Sequence, residues 1–362
     1  MKKTFKGLGV VLSAALAFGA ISAPNAQASD VSFEGKTLEF WVPFGTGGGT
    51  DRFARMFQPF LTKYLPGNPD IAVLNKPGGA SVTGSNEFAA KAPADGTVFM
   101  AASVSTLANY VLGVKEVKYN PSEWNSIIAI SANAGFYANK RATGVKGEDF
   151  DADLQALKSR PIVFGMQKPQ SADIRNYLAL RALGYDIRPI LGLKNSEQIQ
   201  GIIRGEIDVS SDTVVVYQKH KPYFDDGTLA PLFTYGVGSD MTPDPMLPGM
   251  PTLLDAYKSL HGGAMPEGTW WDATSAIIQL NGRAAKSLNL PAGTSDDIIA
   301  VFTDAIEKTI ADPEFRELAK VELAGAVSIG EAANEAVAAS TVISEEAQAW
   351  IKQMLSDDFG IN

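Results

Sequence analysis

Apolar positions along this chain fall into two kinds of run: short β-prone segments and stretches spaced like one face of a helix. The first segment, 37–43 (TLEFWVP), stops at Gly45-Thr46-Gly47-Gly48-Gly49. Phe53, Met56, Phe57, Phe60, Leu61 and Tyr64 then recur at helical spacing until Pro66-Gly67 closes the helix. Strand, glycine loop and helix together open an α/β unit. The same reading predicts strands at 71–74 and 97–103 around a helix over 82–91, and a buried strand at 126–131. The pattern then starts again: helix 152–158, strand 161–165, helix 172–183, strand 187–191, helix 196–204 and strands 207–211 and 229–234. Residues 236–251, rich in Pro, Gly, Asp and Met, predict a surface loop.

The last third is mostly helical. Thr294 with Asp297 predicts a capping box for a helix over 296–310, and Asp312-Pro313 caps a helix over 314–321. Residues 331–355 predict one long, Ala-rich amphipathic helix. Two α/β blocks followed by helices that pack back on them predict two lobes with a cleft between.

Length agrees, since 362 residues at about 150 per domain make two domains. The N-terminus stands apart: Lys2, Lys3 and Lys6 precede an apolar run over 8–21, then Ala26-Gln27-Ala28. That run is short of the roughly 20 residues a membrane span needs, and it ends in a small-x-small cleavage site. Residues 1–28 therefore read as a cleaved signal peptide, with Ser29 as the first mature residue. Removing three lysines takes the formal charge from −9 to −12. An acidic chain of this kind is a poor partner for nucleic acid. The absence of cysteine excludes disulfides, thiol nucleophiles and a lipid anchor on a cysteine, and two histidines leave little for metal or acid–base chemistry.

The sharpest chemistry lies at Pro43–Asp51, written PFGTGGGTD. Consecutive glycines between strand and helix let the backbone approach a ligand, and its N–H groups with the helix N-terminus form an anion site. A P-loop needs Gly-Lys-Ser/Thr where Thr50-Asp51 stands, and the dinucleotide fingerprint needs a glycine in place of Thr50. With no Lys or Arg on the loop, it favours a carboxylate over a phosphate. Asp149, Asp151 and Asp153 alternate like a calcium loop, but Leu154 and Arg160 occupy its glycine and glutamate positions. Neither Gly-x-Ser-x-Gly nor a Ser-x-x-Lys set is present, His220 reads as a solvated surface residue and His261 as a loop residue. Trp41, Trp270 and Trp271 are candidates for either core or ligand stacking. Asp212, beyond the 207–211 strand, faces the crevice where C-terminal strand ends point.

These pieces resemble the substrate-binding proteins of tripartite tricarboxylate transporters, the Bug (TctC) receptors. Pro43–Asp51 is similar to their PF-x-x-GG-x-x-D loop, and Asn75-Lys-Pro-Gly-Gly79 to their N-[KR]-PG motif. In order follow AAKAPADG at 89–96, SVST at 103–106, GIIRGEID at 201–208 with Asp212, LPGMPT at 247–252, PAGT at 291–294 and ADPEFRE at 311–317. The resemblance covers nearly the whole mature chain. It implies an α/β, two-lobed periplasmic-binding-protein fold (type II, the Venus flytrap) with ligand in the interlobe cleft. Lobe 1 would be 29–128 with 235–362, and lobe 2 would be 129–234.

The implied function is a periplasmic receptor, not an enzyme and without cofactor or metal. It would be a monomer that captures an organic carboxylate, a di- or tricarboxylate or an aromatic acid, and hands it to membrane permease subunits. The alternative is a receptor that presents the bound acid to a membrane histidine kinase. Carried over by the motifs, Phe44, Gly45, Gly47, Gly48 and Thr50 would hold the proximal carboxyl group, with Ser103 and Ser105 adding hydroxyls. Gln167, Lys168 and Ser171 would meet the distal end, and Asp212 would sit at the rim. The 166–171 loop (MQKPQS) departs from the family's Ser/Gly/Thr-rich pattern, so Lys168 reads either as the partner of a second carboxylate or as a solvent-facing lysine.

Overall fold

The computed structural model describes residues 31–361 apart from 238, 239, 321, 322 and 324, so the expected signal peptide over 1–28 lies outside the described residues. Among the described residues, eleven strands form two mixed sheets. The first sheet has the order β11-β4-β10-β3-β1-β2, with β1 Thr37–Val42, β2 Asp70–Asn75, β3 Val98–Ser103, β4 Asn125–Ile130, β10 Lys286–Leu290 and β11 Val327–Ile329. The second has the order β7-β6-β8-β5-β9, with β5 Ala134–Asn139, β6 Ile162–Met166, β7 Ile187–Leu191, β8 Val209–Thr213 and β9 Leu229–Thr234. β1 runs parallel to β2 and β3, and β6 parallel to β7 and β8. β10 and β5 run antiparallel to both neighbours. The chain passes from the first sheet to the second through residues 131–133 and returns between β9 and β10. The fold is thus two-lobed α/β.

Helices cover the sheets because their apolar stripes have nowhere else to go. Helix α1 (Gly49–Tyr64) lays Phe57 and Phe60 against Phe315, at ring distances of 4.7 and 5.0 Å. Each such ring removed from water contributes about 1.5–3 kcal/mol. β3, followed by α3 (Val104–Val111), has five buried residues in succession because it is covered on both faces. Helix α2 (Val82–Lys91) joins β2 to β3.

Three sequence expectations are corrected. The 331–355 stretch is two helices, Glu331–Ser340 and Glu345–Phe359, because Ser344 caps the second through the Ala347 amide. The helix Asp296–Ala311 starts after Ser295; Thr294 instead donates its hydroxyl to the Pro291 carbonyl at 2.8 Å. The helix Leu253–Leu260 packs on β9 and on the helix Phe150–Ala156, so the chain stays with the second sheet well past Thr234. The helix Glu345–Phe359 ties both halves. Gln348 reaches the Val111 carbonyl at the end of α3, and Asp358 pairs with Arg181 and Tyr177 on the helix Ile174–Ala182.

Candidate functional site

The glycine loop is held from below rather than left open. Asp51, 2% exposed, accepts the Gly47 amide at 2.8 Å, the Asn75 carboxamide at 2.9 Å and the Arg55 guanidinium at 3.1 Å. Burial pushes the Asp51 carboxyl up, and these three partners, Arg55 first, outweigh it and leave the group below the ordinary carboxylate range. Asn75 also donates to the Phe44 carbonyl at 2.9 Å. Gly47 needs its glycine, since its φ is +79°. The recognised Asp and Asn of the motifs therefore build the loop, and the Gly47 amide expected to meet ligand is already bonded to Asp51.

A cleft of about 600 Å³ lies between the two sheets. From the first sheet it is lined by Gly49, Arg52, Ser103, Ser105 and Lys286. A Cβ placed on Gly49 would lie 3.9 Å from Arg52 Nη2 and 4.0 Å from Lys286 Nζ, so two cationic groups flank the first residue of a sixteen-residue helix. Arg52 is oriented by its own loop, donating Nη1 to the Gly47 carbonyl at 2.9 Å. Lys286 arrives on β10, in register with Ser103 on β3. Helix N-terminus and cations add at one place, which suits an anion. The wall from the second sheet carries Val214, Val216, Pro245 and Met246, with Lys219 and Asp244 as its charged members.

Of the expected site residues, Ser103 and Ser105 line this cleft. Phe44, Gly45, Gly47, Gly48 and Thr50 flank it on the loop without forming its lining, and Gly49 takes the place expected of Gly48. Gln167, Lys168 and Ser171 lie outside the lining, to which that loop contributes only Ala172. The Ser171 hydroxyl donates to the Lys168 carbonyl at 2.7 Å, and the Gln167 amide to Asp173 at 2.7 Å.

Asp212 is not at a rim. It is 4% exposed, with Oδ2 accepting the Tyr137 hydroxyl at 2.5 Å and 3.0 Å from His220 Nε2. Burial pushes the Tyr137 phenol far up, and the Asp212 charge adds to it. His220, expected on a solvated surface, is 5% exposed within this group. Trp41 is core, stacked under Lys76 at 3.8 Å, while Trp270 and Trp271 are half-buried away from the cleft lining.

Arg52, Lys286 and the apolar second wall were missed in the sequence. Arg52 follows the motif directly, but only the turn of α1 shows that it folds back on the loop. Among the described residues, no group of three or more His, Cys, Asp or Glu side chains could hold a metal ion.

No family model and no curated protein matches the chain. Solved structures do match. A TctC solute-binding protein from Polaromonas, without ligand, aligns with TM-score 0.64 at 17% identity over 90% of this chain and 100% of that one. MatC (Rpa3494) from Rhodopseudomonas palustris, solved with malate bound, aligns with TM-score 0.59 at 18% identity over 87% and 97%. Rpa4515 of R. palustris, solved with adipate, aligns with TM-score 0.60 at 17% identity over 90% and 97%. The chain has the two-lobed α/β fold of the TctC-type periplasmic solute-binding proteins.

Proposed function

We propose that this chain is a solute-binding receptor of the tripartite tricarboxylate transporter family, exported to the periplasm by cleavage after residue 28. It captures a small organic carboxylate between its lobes and delivers it, as a monomer, to membrane permease subunits. The lobes part at 131–133 and again between the helices Leu253–Leu260 and Thr269–Ala284. Malate in MatC and adipate in Rpa4515, two proteins of the same fold, support an acid as the ligand.

The observation that carries the reading is the pole at Gly49, where the start of α1, Arg52, Lys286 and Ser103 converge on one end of the cleft. The proximal carboxyl group takes the amides at the start of α1 and the hydroxyls of Ser103 and Ser105. Charge-assisted hydrogen bonds from Arg52 and Lys286 complete its shell. Phe44, Gly45, Gly47, Gly48 and Thr50 shape the loop around it. Gln167, Lys168, Ser171 and Asp212 support the second lobe. The bound ligand favours the closed state by its differential affinity for that state, and the permease reads closure.

A thermal-shift panel on the mature chain tests this. Malate, adipate, citrate, succinate and benzoate are compared with their neutral amides. At a hundredfold excess over Kd, a true ligand adds about 2.7 kcal/mol of stability. Stabilisation by at least one acid and by no amide is expected; no shift with any acid contradicts the reading.

A further inference from the structure

Asn133 sits in the segment that carries the chain from β4 to β5, and it lines the cleft. Its neighbours are fixed: the Ala132 amide and carbonyl both bond Asn281, at 2.9 Å each. The Asn133 carbonyl accepts the Val214 amide of the second lobe at 3.0 Å. Its side-chain Oδ1 accepts the Ala134 amide at 2.8 Å, which sets which way the carboxamide faces. Nδ2 is then left buried with no hydrogen-bond partner. A carboxamide nitrogen carries two donors, and a buried donor without an acceptor is costly unless something fills the role.

Resting on the receptor reading above, we propose that Asn133 Nδ2 donates to a second oxygen of the ligand, distinct from the carboxyl group at the Gly49 pole. That makes Asn133 the residue that selects acids bearing a further hydroxyl or carboxyl oxygen. The two poles differ in kind. Gly49, Arg52 and Lys286 supply positive charge for an anion. Asn133 supplies a neutral, directional donor at the junction of the lobes. Because the same residue bonds Val214 through its carbonyl, the oxygen it reads lies where the two lobes meet.

The test is titration calorimetry with the acid of the panel that binds most tightly and its counterpart lacking one oxygen-bearing group. Malate is paired with succinate, and adipate with hexanoate. Asn133→Leu removes the donor at similar volume, and Asn133→Asp keeps the acceptor for the Ala134 amide while replacing the donor with a negative charge.

The expected result is a loss of about tenfold for the full acid in Asn133→Leu and about a hundredfold in Asn133→Asp. The counterpart should bind Asn133→Leu as it binds wild type, while Asn133→Leu without ligand should unfold a few degrees lower, because it also strips the Ala134 amide of its acceptor. If either variant fails to fold, Asn133→Ser replaces it and is expected to fall between wild type and Asn133→Leu. Equal loss for both acids, or none for either, overturns this inference alone. A wild type that binds no acid of the panel overturns the receptor reading and this inference with it.

Discussion

The two walls of the cleft are built on opposite principles. The first-lobe wall is polar and braced: Gly49, Ser103 and Ser105 present amides and hydroxyls, with buried Asp51 and half-buried Asn75 beneath to fix the loop. The second-lobe wall is mostly apolar, through Val214, Val216, Pro245 and Met246, with Lys219 and Asp244 its charged members, and other polar residues of that lobe bond one another away from the cleft lining. Tyr137, Asp212 and His220 are such a group, as are Ser211, Asn176 and Tyr235. The difference assigns charge recognition to one lobe and shape selection to the other.

Reversing the pole should break the comparison hardest. Arg52→Glu places a carboxylate beside Gly49, and acid affinity is expected to fall about a hundredfold or more while unfolding temperature moves by about 2 °C at most, because Arg52 is exposed. Retained affinity by calorimetry would remove the charge from the first wall's role.

Bracing is tested next. Asp51→Ala strips partners from the Gly47 amide, Asn75 and Arg55 and is expected to cost about 2 kcal/mol in denaturant unfolding. Its pH dependence has a definite sign. With its folded pKa below the ordinary value, Asp51 contributes stability that is fully present above the unfolded pKa and is lost as pH falls through the folded one. The gap between wild type and Asp51→Asn should hold from pH 7 to about 5 and narrow below about pH 4. A gap that widens on acidification contradicts the assignment.

Glycine positions sharpen the account at smaller scale. A Cβ on Gly48 meets only the Gly45 carbonyl, at an ordinary 3.5 Å, so Gly48→Ala should bind acid within about threefold of wild type. Gly49→Leu pushes against Arg52 and Lys286 and should weaken binding about tenfold. The smallest effect is expected of Gln167→Ala and Ser171→Ala, within about twofold, since neither lines the cleft.

This contrast also explains what was legible in the sequence. The first lobe's β1, α1, α2 and β3 announce themselves by long apolar periodicity and glycine punctuation, and the structure places them within a residue or two. β5 (AGFYAN) and β10 (KSLNL) are central strands that carry no such signal. Each is made a strand by neighbours on both sides, and sheet pairing overrides a weak local preference. The break at Thr341 was hidden by alanines that continue the helical pattern on both sides, although Ser344 was a readable cap. At the site, motif spelling located the loop but not the division of labour within it. Whether a loop amide faces ligand or Asp51 depends on backbone turns such as Gly47, which no spacing rule reports.

The most direct measurement is a crystal structure of the mature chain with its tightest-binding acid. The account expects one carboxyl group at the Gly49 end of the cleft, within hydrogen-bond distance of Arg52 and Ser103. An acid seated in the separate groove between Phe150 and Met250, behind the Met246 loop, with the Gly49 end vacant, would contradict it.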